Sequence, residues 1–147
     1  MKFTSQYPDT IYRVGVKAVI KDAAGNVFCV HDTGEADMWS LPGGGLDHGD
    51  SARVALAREL KEEINYSGDF TMDYMGECIY PSRAISAYVL YMIFEVTIDR
   101  QYVPHAGVDA REVAYLQLSE LLKYEDTQAD IIKKFGFGQE IAIPISN

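Results

Sequence analysis

Residues 39–66, WSLPGGGLDHGDSARVALARELKEEINY, decide the fold, because three consecutive glycines and a polar turn are followed there by a run with helical periodicity. Asp50 or Ser51 can cap the start of a helix by accepting a hydrogen bond from a first-turn amide. Asn65 follows the last predicted turn, where Asn commonly replaces Gly in a left-handed conformation. The stretch therefore predicts a glycine-rich loop followed by a helix over residues 51–64.

The predicted helix has an apolar face and an acidic edge beside it. At about 100° per residue, four apolar side chains fall in one arc that we expect to pack on a sheet, namely Leu56, Ala57, Leu60 and Ile64. Three carboxylates fall in the next arc, namely Glu59, Glu62 and Glu63. Arg58 is placed to pair with Glu62 at i,i+4. A glutamate cluster on a helix is most often a solvated surface, so it does not by itself establish a site.

Two features favour a functional site over a solvated surface. Glu59 and Glu63 stand four residues apart and repel each other, which costs about a few tenths of a kcal/mol without a local gain. The glycines let the backbone approach a ligand closely, although a plain turn is the simple alternative. Carboxylates beside a bare carbonyl suit Mg²⁺, which often bridges to substrate phosphates. One glutamate can then act as a general base.

Composition and charge limit the classes of function. The chain has 147 residues, of which 48% are hydrophobic, and this suits one globular domain over residues 1–147. The net charge of −9 argues against binding to a nucleic acid polymer or an anionic membrane, although it allows an anionic small molecule neutralised by cations. No apolar stretch is long enough to span a bilayer, and residues 1–8 lack a signal-peptide core, so we expect a cytoplasmic protein.

The rest of the chain predicts strands on both sides of the helix. The expected strands are residues 11–20, 27–31, 70–80, 84–99 and 112–117, and short helices are expected at residues 119–123 and 127–135. The turn between the first two strands predicts a hairpin. Cys29 and Cys78 lie in apolar strands, where we expect free buried thiols. This order of elements indicates an α+β fold or a mixed α/β sandwich.

The segment from Gly44 to Tyr66 resembles the Nudix box, which is written Gly, five residues, Glu, seven residues, Arg-Glu-apolar-any-Glu-Glu-any-Gly-apolar. Five residues after the loop match it in register with Gly44, namely Arg58, Glu59, Leu60, Glu62 and Glu63. Asp50 stands where the family has Glu, and Asn65 stands where it has Gly. Both suit the helix ends, so we expect function to survive. With similar flanking segments, the resemblance covers roughly residues 11–124.

The resemblance implies an α/β/α sandwich with a mixed β-sheet. It also implies hydrolysis of a pyrophosphate bond in a nucleoside diphosphate linked to another moiety, with Mg²⁺ or Mn²⁺ as cofactor. Glu62 and Glu63 are then expected as metal ligands, and Glu59 as a ligand or as the base that activates water. The Gly44 carbonyl is expected as a further ligand, and Arg58 as a residue that orients the carboxylates by a salt bridge.

Many members of the family add one acidic residue from a loop on the opposite side of the site. The distance before Tyr115 favours Asp109 for this role, with Glu112 as the alternative. For each of them, an exposed surface charge is the simple alternative. Arg83, which precedes the long apolar strand, is the candidate contact to a substrate phosphate.

The substrate stays open at this point. A modified nucleoside triphosphate, a nucleoside-diphosphate sugar, ADP-ribose and a dinucleoside polyphosphate all fit, and the lack of extra N-terminal strands favours a nucleoside triphosphate or another small substrate. The rival interpretation is a nucleotide-sensing module with the same fold and no catalysis, because fold alone does not determine function. A homodimer is compatible with the sequence, although no feature demands one.

Overall fold

The structure, a computed structural model, describes residues 12–32, 38–82 and 85–143. Seven strands lie in these ranges, namely β1 (Tyr12–Val19), β2 (Val27–Asp32), β3 (Trp39–Ser40), β4 (Gly43–Gly45), β5 (Thr71–Ser82), β6 (Ala87–Thr97) and β7 (Ala110–Leu116). The helices are α1 (Ala52–Ile64), α2 (Leu118–Leu121) and α3 (Thr127–Ile131), and α3 continues into one π-helical turn, Ile132–Gly136. No helix in these ranges is long and apolar enough to cross a membrane.

The strands form two sheets. One has four strands in the order β4-β1-β6-β5, and it is mixed because β1 and β6 run parallel while the other neighbours run antiparallel. The other has three antiparallel strands in the order β3-β2-β7. The predicted hairpin joins β1 to β2 through an isolated bridge between Lys21 and Val27, after which the two strands separate into different sheets.

Alternate residues of β1 point into two separate cores, which gives the molecule its layers. Val16, Ala18 and Ile20 pack with the apolar side of α1, as their alternation predicts. Val19, on the opposite face, packs in a second core with residues of β5, α2 and α3. The predicted α/β/α sandwich with a mixed sheet is therefore confirmed.

The glycine triplet forms a strand, where the sequence predicts only a loop. Strand β4 pairs antiparallel with β1, with Gly44 opposite Val16 and Gly43 opposite Lys17. Glycine has a low intrinsic preference for strands, so this strand depends on its partner rather than on its own residues. The pairing fixes the triplet at the edge of the four-stranded sheet.

Helix α1 has the predicted ends but a different buried face. Ser51 is the N-cap and accepts a hydrogen bond from the Val54 amide, while Asn65 ends the helix at φ 56°, ψ 33°. Ala57 is exposed, and the prediction that it packs on the sheet is wrong; Ala55 is buried instead. At about 100° per residue, this change rotates the buried arc towards the glutamates. Glu63 lies inside that arc and is only 8% exposed.

Candidate functional site

Strand β4 packs against the second half of α1, and the backbone of β4 faces glutamate side chains of the helix. The Gly43 N–H donates to Oε1 of Glu63 over 3.1 Å. At Gly44, a Cβ would stand 2.5 Å from Oε1 of Glu59, so a residue without a side chain is needed for this approach. The two adjacent glycines therefore bring β4 against two carboxylates that lie four residues apart on one helix face.

Glu63 is the buried member of the acidic cluster. Burial raises the pKa of Glu63 well above its usual range, and a hydrogen bond with Glu59 raises it further, while the Lys17 ammonium and the Gly43 amide oppose the rise. The Glu59 and Glu63 carboxyls therefore lie next to each other beside the Gly43 amide.

Glu62 and Asp109 form a second carboxyl pair. Burial, the charge of Glu59 and the charge and hydrogen bond of Asp109 all raise the pKa of Glu62. The backbone holds Asp109 there, because its N–H donates to the Glu62 carbonyl over 3.1 Å. Glu112 lies farther along β7, exposed and opposite His31. Of the two candidates for the opposite-side carboxylate, the structure thus brings Asp109 next to Glu62.

The loop that carries Asp109 is docked directly on the end of α1. The Gly107 N–H donates to the Glu63 carbonyl over 2.8 Å. A Cβ at Gly107 would overlap the Glu62 carbonyl oxygen. Glycine at this position therefore lets the loop cap the last carbonyls of the helix while it presents Asp109 to the helix side chains.

Arg58 connects helix α1 to the polar loop that precedes it, residues 46–51. Its guanidinium donates to Asp50 over 2.6 Å and to the Gly45 carbonyl over 3.2 Å, and Asp47 lies 3.4 Å away. The Arg58 hydrogen bond holds the pKa of Asp50 below its usual value. The charge of Arg58 also opposes the rise in the pKa of Glu62. Asp50, which departs from the box, thus anchors Arg58 and lies outside the carboxyl pairs.

Sequence reasoning missed Lys17, which joins β1 to the glycine strand. Its side chain is only 6% exposed, and its Nζ donates to the Leu41 carbonyl over 3.0 Å and to the Gly43 carbonyl over 3.4 Å. A lysine inside the apolar run of residues 14–20 was the signal that could have identified it, since an ammonium is rarely buried without a partner.

The sequence analysis also missed Tyr91, whose ring packs beside the glycine strand. A Cβ at Gly15 would overlap the Tyr91 ring and would stand 2.8 Å from the Gly44 carbonyl oxygen. The Lys17 Nζ lies 5.0 Å from the centroid of the same ring. The half-buried ring therefore packs over the β1 backbone next to the carbonyl that the sequence predicts as a ligand. Arg83, the predicted phosphate contact, lies outside the described residues.

The donor set suits a hard divalent cation. It consists of oxygen atoms, namely the pairs Glu59–Glu63 and Glu62–Asp109 together with the Gly44 carbonyl. A bound cation would offset the repulsion between the neighbouring carboxylates. Within the described ranges, no three His, Cys, Asp or Glu side chains are already placed to hold an ion.

The α/β/α sandwich and the acidic helix packed on a glycine strand can be compared with known protein families. The NUDIX domain family matches residues 11–135. This match spans most of the chain. The chain therefore belongs to the Nudix family.

Relatives agree with this assignment over part of their length. An RNA pyrophosphohydrolase from Teredinibacter turnerae is 34% identical over 58 residues, which make up 40% of this chain and 34% of the relative. An RNA pyrophosphohydrolase from Dinoroseobacter shibae is 44% identical over 62 residues, 38% of either chain. The chain thus spans about a third of the curated relatives it matches.

A solved structure supports the fold over nearly the whole chain. The MutT protein from Methanosarcina mazei Go1 superposes with a TM-score of 0.72, covering 92% of this chain and 100% of that chain. The two sequences are 18% identical. At this identity the likeness establishes the shared fold.

Proposed function

We propose that this protein is a divalent-metal-dependent pyrophosphohydrolase that cleaves a phosphoric anhydride bond in a nucleoside diphosphate linked to another moiety. The observation that carries the proposal is the packing of two carboxyl pairs, Glu59–Glu63 and Glu62–Asp109, beside Gly43 and Gly44. Carboxylates gathered in one place repel each other, and the burial of Glu63 adds to the cost, which a bound cation would offset. Membership of the Nudix family supports the same reaction.

Glu59, Glu62, Glu63 and Asp109 would hold Mg²⁺, or Mn²⁺ in its place, with the Gly44 carbonyl as a further ligand through its second lone pair. When bound, the cation supplies Lewis-acid polarisation of the phosphoryl oxygens and lowers the pKa of a coordinated water.

The side chains divide the remaining work. Glu59, which is half-exposed, would act either as a metal ligand or as the base that accepts a proton from the attacking water. Gly43 holds Glu63 by its amide, and the docked loop holds Asp109 beside Glu62. Arg58 keeps the polar loop on the helix and acts on position rather than on the substrate. Prepositioned charges of this kind account for much of the rate enhancement in phosphoryl transfer.

A small nucleotide is the proposed substrate. The net charge of −9 disfavours a long polyanion. The curated relatives named above are RNA pyrophosphohydrolases, so an RNA with a 5′ triphosphate is the competing substrate. Both carry the same anhydride bond, and the same carboxyl cluster would act on either.

The test is a hydrolysis panel with purified protein, with and without Mg²⁺. The panel contains nucleoside triphosphates, oxidised nucleotides, nucleotide sugars, ADP-ribose, dinucleoside polyphosphates and a 5′-triphosphorylated RNA, with products separated by chromatography. We expect metal-dependent cleavage that the Glu62→Gln variant loses by about a hundredfold or more. Glu95→Gln, an exposed glutamate on β6, is the matched control and should keep full activity.

The outcomes separate the enzyme from a sensor. Near-normal turnover by Glu62→Gln would show that the carboxyl cluster is not the site. Absence of cleavage of every compound, together with measurable nucleotide binding, would favour the nucleotide-sensing interpretation over catalysis.

A further inference from the structure

Lys17 occupies an unusual position for a charged side chain. It is 6% exposed in the middle of β1, between the buried residues Val16 and Ala18. Burying an ammonium is costly unless hydrogen bonds or charges satisfy it. A methionine would fill a similar volume without that cost, so packing alone gives no reason for a lysine here.

The Lys17 side chain reaches the glycine strand because its neighbour there lacks a side chain. Lys17 stands opposite Gly43 in the β1–β4 pairing. A Cβ at Gly43 would stand 2.9 Å from the Lys17 Cα, so β4 is pressed closely onto β1. The Lys17 Nζ can then donate to the carbonyls of Leu41 and Gly43 over 3.0 Å and 3.4 Å.

The glycine that accepts from Lys17 also holds a carboxylate. The Gly43 carbonyl faces Lys17, and the Gly43 N–H donates to Glu63 over 3.1 Å. A shift of this residue would therefore move the partner of Glu63, and it would also move Gly44, which lies against Glu59.

The ammonium is held from a second side by an aromatic ring. Its Nζ lies 5.0 Å from the Tyr91 ring centroid, within the range of a cation–π interaction. The two carbonyl oxygens and the ring together fix the position of the ammonium. Lys17 is therefore held in place, unlike a mobile surface lysine.

We propose that Lys17 is a positioning residue for the reaction proposed above: its ammonium fixes the Leu41–Gly43 backbone so that β4 presents Gly43 to Glu63 and Gly44 to Glu59. The inference rests on the proposed function. It predicts that Lys17 acts on metal affinity and on turnover through the backbone of β4, without touching the substrate.

The test compares Lys17→Met with wild-type protein and with Lys21→Met, an exposed lysine just beyond the same strand. We expect Lys17→Met to bind Mn²⁺ about 10- to 100-fold more weakly, as partners of metal ligands commonly do when removed. We also expect kcat to fall by a similar factor while KM for the nucleotide changes little. Lys21→Met should match wild type, and Lys17→Arg, which keeps a charged donor, should recover part of the Mn²⁺ affinity.

A measurement on the wild-type protein covers the case in which Lys17→Met does not fold. Mg²⁺ is titrated into protein labelled with ¹⁵N, and the signals of the Lys17 ammonium and of the Gly43 and Gly44 amides are followed. We expect all of them to shift along one saturation curve. A Lys17 signal that does not move while the metal binds would overturn the proposal.

Failure of this inference can be told apart from failure of the proposed function. A wild-type protein that cleaves no pyrophosphate compound would overturn the proposed function and the role of Lys17 with it. An active wild-type enzyme whose folded Lys17→Met variant binds Mn²⁺ as tightly would overturn the role of Lys17 alone.

Discussion

A side chain at Gly44 would displace Glu59, because a Cβ there would stand 2.5 Å from Oε1 and 2.7 Å from Cδ of Glu59. The clash is with the end of a flexible side chain, so the fold can absorb it. We therefore expect Gly44→Ala to keep a near-normal melting temperature but to lose about 100-fold in kcat/KM, since a displacement of about 1 Å has such an effect. Circular dichroism and initial rates on one preparation measure both quantities. Unchanged kcat/KM would mean that Glu59 does not act from this position.

Asp109 and Glu112 are three residues apart, yet the structure gives them different surroundings. Both are exposed, but Asp109 stands beside Glu62 and raises its pKa, whereas Glu112 lies on β7 opposite His31. We expect Asp109→Asn to weaken Mn²⁺ binding by about 10- to 100-fold and Glu112→Gln to leave it within error. Isothermal titration calorimetry measures both variants. The opposite order of effects would assign the role to Glu112.

The relative placement of side chains on one element was predictable where the signal was local in sequence. The spacing of Glu59, Glu62 and Glu63 places them on one helix edge whatever the rest of the chain does. Lys17 was missed because its partners are Gly43 on β4 and Leu41 just before it, and the sequence did not reveal that β4 exists.

At the scale of elements, the ends of α1 were predictable from the sequence and strand β4 was not. The start and end of α1 were predicted because caps depend on a few neighbouring residues. Its buried face was misjudged at Ala57, because a glutamate inside the buried arc is invisible to a hydrophobic pattern. Strand β4 was predicted as a loop, since three glycines form a strand only through pairing with β1.

The C-terminal end of α1 gives a test of stability. Asn65 ends the helix in the left-handed region at φ 56°, which costs most residues about 1 kcal/mol and costs glycine almost nothing. We expect Asn65→Ala to lower the free energy of unfolding by about 1 kcal/mol, and Asn65→Gly to leave it nearly unchanged. Urea denaturation of the two variants gives the comparison. Equal stability of both would mean that the backbone conformation at residue 65 is not strained.

At the scale of the whole molecule, the candidate site joins segments that are distant in the chain. Pairing of β1 with β4 brings Lys17 to Gly43, and docking of the loop at Gly107 on α1 brings Asp109 to Glu62. The resemblance to the Nudix box predicts that the glutamates of α1 lie near an acidic residue from another loop. The particular contacts follow from sheet order and loop docking, which one sequence does not specify.

The same assembly predicts that metal binding stabilises the fold. A ligand that binds only the folded state adds about 2.7 kcal/mol at a concentration 100 times its Kd. For a chain of 147 residues this corresponds to a rise in Tm of roughly 5 to 10 °C. We expect Mg²⁺ to produce such a rise in scanning calorimetry and a chelator to reverse it. An unchanged Tm at saturating Mg²⁺ would argue against binding by the carboxyl cluster.

We expect Glu59, Glu62 and Glu63 on α1 to form a divalent-metal site together with Asp109 from the loop before β7. Titration of Mn²⁺ into the protein without nucleotide, with free Mn²⁺ followed by electron paramagnetic resonance, tests it most directly. We expect saturable binding to wild-type protein that Glu62→Gln weakens by about tenfold or more, while Glu95→Gln binds normally. Equal binding by wild type and Glu62→Gln, or no binding by either, would contradict it.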